Sequence, residues 1–211
     1  MNGTADRRTQ SDRRATTRAA LLTAAARGLA TYGYANLVLE DVAKQAGYTR
    51  GALYHQFAGK EELALAVVEW IGRTWDAEVL QRALAEADPL RALLTMAELH
   101  TVYCRRDEAA RVMLTLRVEF AGQDTAVARA IGGNTALLEA ECGRLIADAR
   151  RKGCILPGPP VPLMARAYLG VLESVAIEVA GHAPHDLDLM GRAVQGLLGV
   201  PPAPLRPPLD G

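Results

Sequence analysis

Apolar residues recur at helical spacing along nearly the whole chain. Leu22, Ala25, Ala26 and Leu29 mark one face of a helix that Ser11 or Asp12 caps and that runs to about Tyr32. Gly33 closes it, in the position where a left-handed residue ends a helix. Leu39, Val42, Ala43 and Ala46 stand at offsets 0, 3, 4 and 7, the stripe of a short amphipathic helix. Gly47 allows a turn, and Thr49 is suited to cap a third helix with Leu53 and Phe57 facing inward. After Ala58-Gly59, the run Lys60-Glu61-Glu62 opens a fourth helix, its acids at the positive end of the helix dipole. Leu63, Val67, Trp70 and Ile71 carry that helix toward Ala85.

Beyond Pro89 the pattern stays helical, with helices expected at about 89–105, 108–121, 125–152, 161–181 and 186–198. The breaks fall at Arg106-Asp107, Gly122-Gln123, the Pro/Gly-rich 156–162 and Gly181 to Pro184. Gly132-Gly133 interrupts the third of these helices. Each internal glycine costs about 1 kcal/mol relative to alanine, so a kink or a split is expected there. No hairpin signal and no internal repeat is present. The reading is an all-α protein. A three-helix helix-turn-helix domain over 12–59 precedes a helical ligand-binding and dimerisation domain over 60–200. Residues 1–12 are expected to be disordered and the proline-rich 201–211 to form a mobile tail.

Composition changes this picture little. Half of the 211 residues are hydrophobic and only 5% aromatic, which favours helix over sheet. Charge changes it more. The net charge is zero, yet the residues through Lys60 carry nine positive and four negative side chains. A basic end on an otherwise acidic chain suits a protein that sets one end on a polyanion. Cys104, Cys142 and Cys154 are far apart and form no CxxC pair, so neither a disulfide framework nor a zinc site is expected. No signal peptide or membrane-spanning stretch is seen, and a cytoplasmic location is expected.

The chemistry concentrates between Glu40 and Leu63. A short helix on a rigid support displays Thr49, Arg50, Gly51, Tyr54, His55 and Gln56, with Lys60 just beyond. Arg50 near the helix N-terminus is placed for a bidentate contact to guanine in the major groove. Gly51 lets the backbone come close. Thr49, Tyr54 and Lys60 suit phosphate oxygens, which set register without reading sequence. His55 and Gln56 fit either role. Arg7, Arg8, Arg13 and Arg14 are candidates for an arm along the DNA backbone, or for a solvated tail.

Residues from about Arg14 to Val68 resemble the DNA-binding domain of the tetracycline-repressor (TetR) family of transcriptional regulators. The resemblance is carried by Gly33-Tyr34, Asp41-Val42-Ala43, Ala46-Gly47, Thr49, Gly51-Ala52-Leu53-Tyr54, Phe57 and Lys60-Glu61-Glu62-Leu63. It implies nine or so helices, a homodimer and a C-terminal domain that binds a small inducer. It also implies that Thr49, Arg50, Gly51, Tyr54, His55 and Lys60 face DNA. One departure stands out. Leu37 and Val38 occupy places where the family has Thr or Ser, which caps the second helix and touches phosphate; Asn36 is the nearest substitute cap.

The helix at 161–181 has a wider apolar arc than one core contact needs, and the helix at 186–198 adds to it. Met164, Tyr168, Val171, Val175, Met190, Val194 and Leu197 are therefore expected at a dimer interface, two helices from each subunit. Candidate ligand contacts are His100, Tyr103, Cys104, Met113, Arg117, Phe120, Asn134 and Glu173, on the middle helices. His182 and His185 read as surface residues. No cofactor, no metal and no enzymatic activity are expected, because no nucleophile-base pair, metal motif or phosphate loop occurs. The expected function is a ligand-responsive regulator, a repressor binding a near-palindromic operator as a homodimer and released by a small inducer. A helical DNA-binding or protein-interaction scaffold without a ligand response is the alternative.

Overall fold

A computed structural model of the chain describes residues 10–106, 111–179 and 181–200. Arg7, Arg8 and the tail from Pro201 lie outside the described residues. Ten α-helices are present among the described residues: α1 (Gln10–Tyr32), α2 (Leu39–Gln45), α3 (Arg50–Gln56), α4 (Lys60–Trp75), α5 (Gln81–Leu84), α6 (Pro89–Arg106), α7 (Val112–Glu119), α8 (Ala126–Arg151), α9 (Val161–Val179) and α10 (His185–Leu198). A π-helical turn, Asp76–Leu80, joins α4 to α5 without a break. Separate helical runs among the described residues therefore number nine, in line with the expected all-α architecture. No strand occurs among the described residues.

Local chemistry sets the helix ends. Gly33 has φ +74° and its N–H donates to the Leu29 carbonyl, closing α1. Asp88 accepts from the Arg91 N–H at 2.9 Å with Pro89 at the first helical position of α6, where a missing N–H costs nothing. Thr125 caps α8 in the same way through the Ala128 N–H. The glycine pair in α8 does not split it, because α8 is continuous from Ala126 to Arg151. Flanking helical hydrogen bonds outweigh the local cost of two glycines in a helix this long.

The chain forms two compact units. The first contains α1–α4, α7 and the start of α8, up to Asn134; the second contains α5, α6, the rest of α8, α9 and α10. This division differs from a boundary at 59/60. One long and two short helices enclose too little apolar surface for a sizeable core. In the first unit, Leu21, Ala25, Leu29, Val42, Leu53 and Phe57 are completed by Leu63, Val67 and Val68 of α4, by Val112 and Leu116 of α7, and by Phe120.

In the second unit α6, α9 and α10 pack on one another. Leu93, Met96, Leu172, Met190 and Val194 are buried there. The buried Tyr168 hydroxyl donates to the Leu93 carbonyl at 2.6 Å. Asp186 has no exposed side-chain surface and receives both arms of the Arg105 guanidinium, at 2.5 Å each. That guanidinium holds the Asp186 carboxyl below the usual carboxylate range.

This packing corrects one expectation. Met164, Tyr168, Met190 and Val194 fill the interior of their own unit rather than a face open to a second copy. Val171, Val175 and Leu197 keep part of their surface. The outward apolar residues of α9 and α10 are instead Leu163 and Leu189. The wide apolar arc of α9 is used largely on neighbours within the chain.

Candidate nucleic-acid interface

Sequence and packing together make α3 a display platform. Thr49 is extended, and its hydroxyl accepts from the Ala52 N–H at 3.2 Å, so it is the expected N-cap. Leu53 is fully buried, and Phe57, just past the helix, is nearly so. The Arg18 guanidinium lies 4.6 Å over the Phe57 ring. With these anchors fixed, the opposite side of the helix points outward. Thr49, Arg50, Gly51, Tyr54 and His55 are exposed and Gln56 is half-buried.

The charged side chains among the expected DNA-facing residues, Arg50 and Lys60, have partners within the chain. Arg50 pairs with Glu40 in the first turn of α2, and its guanidinium lies 5.4 Å from the Tyr54 ring centroid. Both contacts hold the arginine in its charged form. Glu40 thus orients the candidate base reader in the absence of DNA. Lys60 is half-buried; its Nζ donates to the Ala35 carbonyl at 2.8 Å and sits 5.1 Å from the Tyr34 ring. It is tied to the α1–α2 turn as well as placed beside the recognition helix.

The segment before α2 departs from expectation in a way that packing explains. Leu37 is buried, and a side chain at Gly28 would meet it at 2.6 Å, so Leu37 plugs a gap against α1. Val38 takes the N-cap place of α2 with no side-chain cap hydrogen bond and stays exposed. Asn36 does not cap α2. Its amide donates to the Tyr32 carbonyl at the end of α1. Arg13 and Arg14 lie exposed on the first turns of α1.

The α1–α2 turn has a further partner, distant along the chain. The Glu119 carboxylate, at the end of α7, accepts from the Tyr34 N–H at 2.5 Å and the Ala35 N–H at 2.6 Å. Phe120 packs edge-on against Tyr34 with ring centroids 5.1 Å apart. No local signal joins residues this far apart in sequence.

The candidate ligand residues divide between the units. His100, Tyr103, Cys104 and Glu173 belong to the second; Met113, Arg117, Phe120 and Asn134 belong to the first. His100 is buried, and burial lowers its pKa to about 4 despite a hydrogen bond to the Leu172 backbone. Its Nε2 lies 3.5 Å from the Cys104 sulfur. The Arg106 guanidinium sits 5.7 Å from the Tyr103 ring centroid, and Glu173 is half-buried. In the first unit Phe120 is buried, Met113 and Arg117 are half-buried, and the Asn134 amide lies against Gly72. Burial pushes the Cys142 thiol up to about 12, which leaves it a packed, unreactive group. A hollow of about 120 Å³ between α1 and α2 is lined by Gly28, Tyr32, Leu37, Val38, Asp41 and Val42, among others. None of the candidate ligand residues lines it, and it falls below the ~300–1,000 Å³ of a small-molecule pocket. Among the described residues no group of His, Cys, Asp and Glu is arranged to hold a metal, and His182 and His185 are exposed. No described helix is long and apolar enough to cross a membrane.

A short capped helix on a buried anchor, displaying Arg, Tyr and His and packed on a second short helix, is the arrangement of a helix-turn-helix domain. Residues 21–67 match the family model of bacterial regulatory proteins, tetR family. The HTH-type transcriptional regulator CymR of Pseudomonas putida is 45% identical over 65 residues, 31% of this chain and 32% of that protein. The HTH-type transcriptional regulator TtgR, also of Pseudomonas putida, is 39% identical over 83 residues, 39% of each chain. The matches thus span about a third of the length of these curated relatives. AibR, solved in complex with isovaleryl coenzyme A and operator DNA, superposes with a TM-score of 0.74 at 20% identity, covering 87% of this chain and 99% of that one. A gamma-butyrolactone receptor (ArpA-like protein) superposes with a TM-score of 0.67 at 22% identity, covering 87% and 99%. Residues 21–67 are thus similar to the DNA-binding domain of tetR-family regulators, and the whole chain shares the all-helical fold of the solved regulators.

Proposed function

We propose that this protein is a one-component repressor that binds a near-palindromic operator as a homodimer and leaves it when a small molecule binds. The observation that carries the DNA reading is the exposed row Thr49, Arg50, Gly51, Tyr54 and His55 on a helix pinned by Leu53 and Phe57. Arg50 reads a guanine, and Thr49 and Tyr54 hold phosphates on either side. Two such helices in a two-fold dimer meet successive major grooves ~34–36 Å apart, which makes the operator near-palindromic. The dimer reading is supported by Leu163 and Leu189, large apolar residues left exposed on α9 and α10.

The inducer reading is supported by two of the structural relatives, one solved with an acyl coenzyme A and one described as a butyrolactone receptor. Release requires that the ligand bind one conformation more tightly than the other. Val38, with no capping side chain, favours weak phosphate anchoring at α2.

The test is fluorescence anisotropy or gel shift with DNA from upstream of the protein's own gene, across a salt series. Binding that weakens with salt and saturates at one dimer per site supports the reading. No binding at low salt by the folded protein would sink it. Binding that no metabolite in a broad screen relieves would favour the scaffold without a ligand response.

A further inference from the structure

The α1–α2 turn is held at three consecutive peptide groups by two charged side chains from outside it. The Tyr34 and Ala35 N–H groups both donate to the Glu119 carboxylate, and the Ala35 carbonyl accepts from Lys60. The Tyr34 carbonyl accepts from the Leu37 N–H at 3.3 Å. The 34–35 peptide is thus fixed at both ends and cannot rotate without losing two hydrogen bonds. Gly33 is shaped for the same grip. Its φ of +74° turns two successive N–H groups toward one point, and a Cβ there would lie 2.8 Å from the Glu119 Oε2. Two successive N–H groups in such a turn form a small anion-binding concavity, and here a carboxylate fills it. Tyr34 packs on Phe120, the residue after Glu119, so the turn and the end of α7 meet through an aromatic pair too.

This turn is the covalent route from α1 to α2, and α2 packs directly on α3. Its geometry therefore sets how far α2 stands from α1, and with α2 the placement of Glu40 against Arg50. We propose that Glu119 is a positioning residue for DNA recognition: by clamping the Gly33–Ala35 turn from α7, it fixes the α2–α3 pair in the geometry that reads the operator. The inference rests on the operator-binding reading above. Glutamine at 119 has the same size but only one acceptor oxygen, and its amide N–H groups meet a backbone donor, so one side of the clamp opens. A residue that merely stabilised the fold would weaken binding to every duplex alike. A positioning residue affects the binding that needs α3 in register and spares the binding driven by charge.

The experiment uses the full chain and an operator duplex selected by the wild-type protein from a random pool, with a scrambled duplex as the non-specific probe. Amide hydrogen exchange is followed over residues 33–36. Glu119→Gln is expected to weaken operator binding by about tenfold, the scale of one lost charge-assisted hydrogen bond. It is expected to leave scrambled-duplex affinity within about twofold and to speed exchange at Tyr34 and Ala35. Glu119→Asp, which keeps the charge one methylene short, is expected to fall between and serves the same comparison if the glutamine variant does not fold. Wild-type binding with both variants within about twofold of it, or equal losses on operator and scrambled duplex, would overturn the proposal and leave the operator reading standing. A wild-type chain that selects no duplex would overturn both, and unchanged amide exchange in Glu119→Gln would overturn the clamp by itself.

Discussion

Helix α3 and the pair α9–α10 use apolar side chains in opposite ways. α3 has seven residues and buries one of them, Leu53, with Phe57 following as its cap; nearly everything else on it faces out. α9 has nineteen residues and buries six, and α10 buries Asp186, Met190, Val194 and Leu198. A helix too short to fill a core by itself turns most of its residues outward, where a partner could reach them. A long helix with a broad apolar arc records packing first. The surplus on α9 looked like an interface, but most of it meets α6 and α10. The difference is that a short, well-anchored helix leaves most of its side chains outward, whereas a long helix with a broad apolar arc spends most of them on neighbours in its own chain.

Four measurements break or sharpen this contrast. Leu53→Ala removes the buried anchor of α3, and its expected cost is about 2–5 kcal/mol by urea unfolding, with operator binding lost. A cost under about 1 kcal/mol would mean that α3 is not pinned as described. The second acts on the buried side of the contrast. His100 has its pKa lowered in the folded chain, so folding disfavours the charged form. Between the ordinary histidine value near 6.5 and about 4, the unfolded chain binds a proton that the folded chain does not. Stability is therefore whole above that range and lost as pH falls through it, by roughly 3 kcal/mol. His100→Leu should flatten that part of the pH–stability curve; an unchanged slope would place His100 in solvent.

The third returns to the displayed face. Arg50→Ala should weaken operator binding by about 1–3 kcal/mol and relax the preference at one base pair, with no shift of the thermal midpoint. A lowered midpoint with undiminished discrimination would make the Arg50–Glu40 pair structural instead of a poised reader. The smallest effect is a gain. Val38→Thr supplies the missing side-chain cap of α2, and about 1 kcal/mol of added stability is expected, with tighter operator binding. No gain in either would show that the exposed Val38 place is too far from the Asp41 N–H or from phosphate to serve.

What the chain determined by itself is local. Gly33, Gly47, Thr49 and Pro89 mark helix ends through φ preferences and capping groups that act within a few residues, so these ends are legible. So is the outward row on α3, because a helix holding Leu53 and Phe57 inward must turn Arg50 and Tyr54 out. The tertiary structure decided the rest. Leu37 departs from the expected polar residue because it fills a gap that α1 leaves at Gly28. Lys60 suits a phosphate by residue type, and only the folded turn supplies the Ala35 carbonyl that it holds. Met164, Tyr168, Met190 and Val194 carried no mark of whether their neighbours would be their own chain or another. Glu119 lies far along the chain from the turn that it grips, and no periodicity or cap rule reaches that distance. Hydrogen bonds and apolar contacts between distant segments depend on where the chain folds back, which only the assembled core sets.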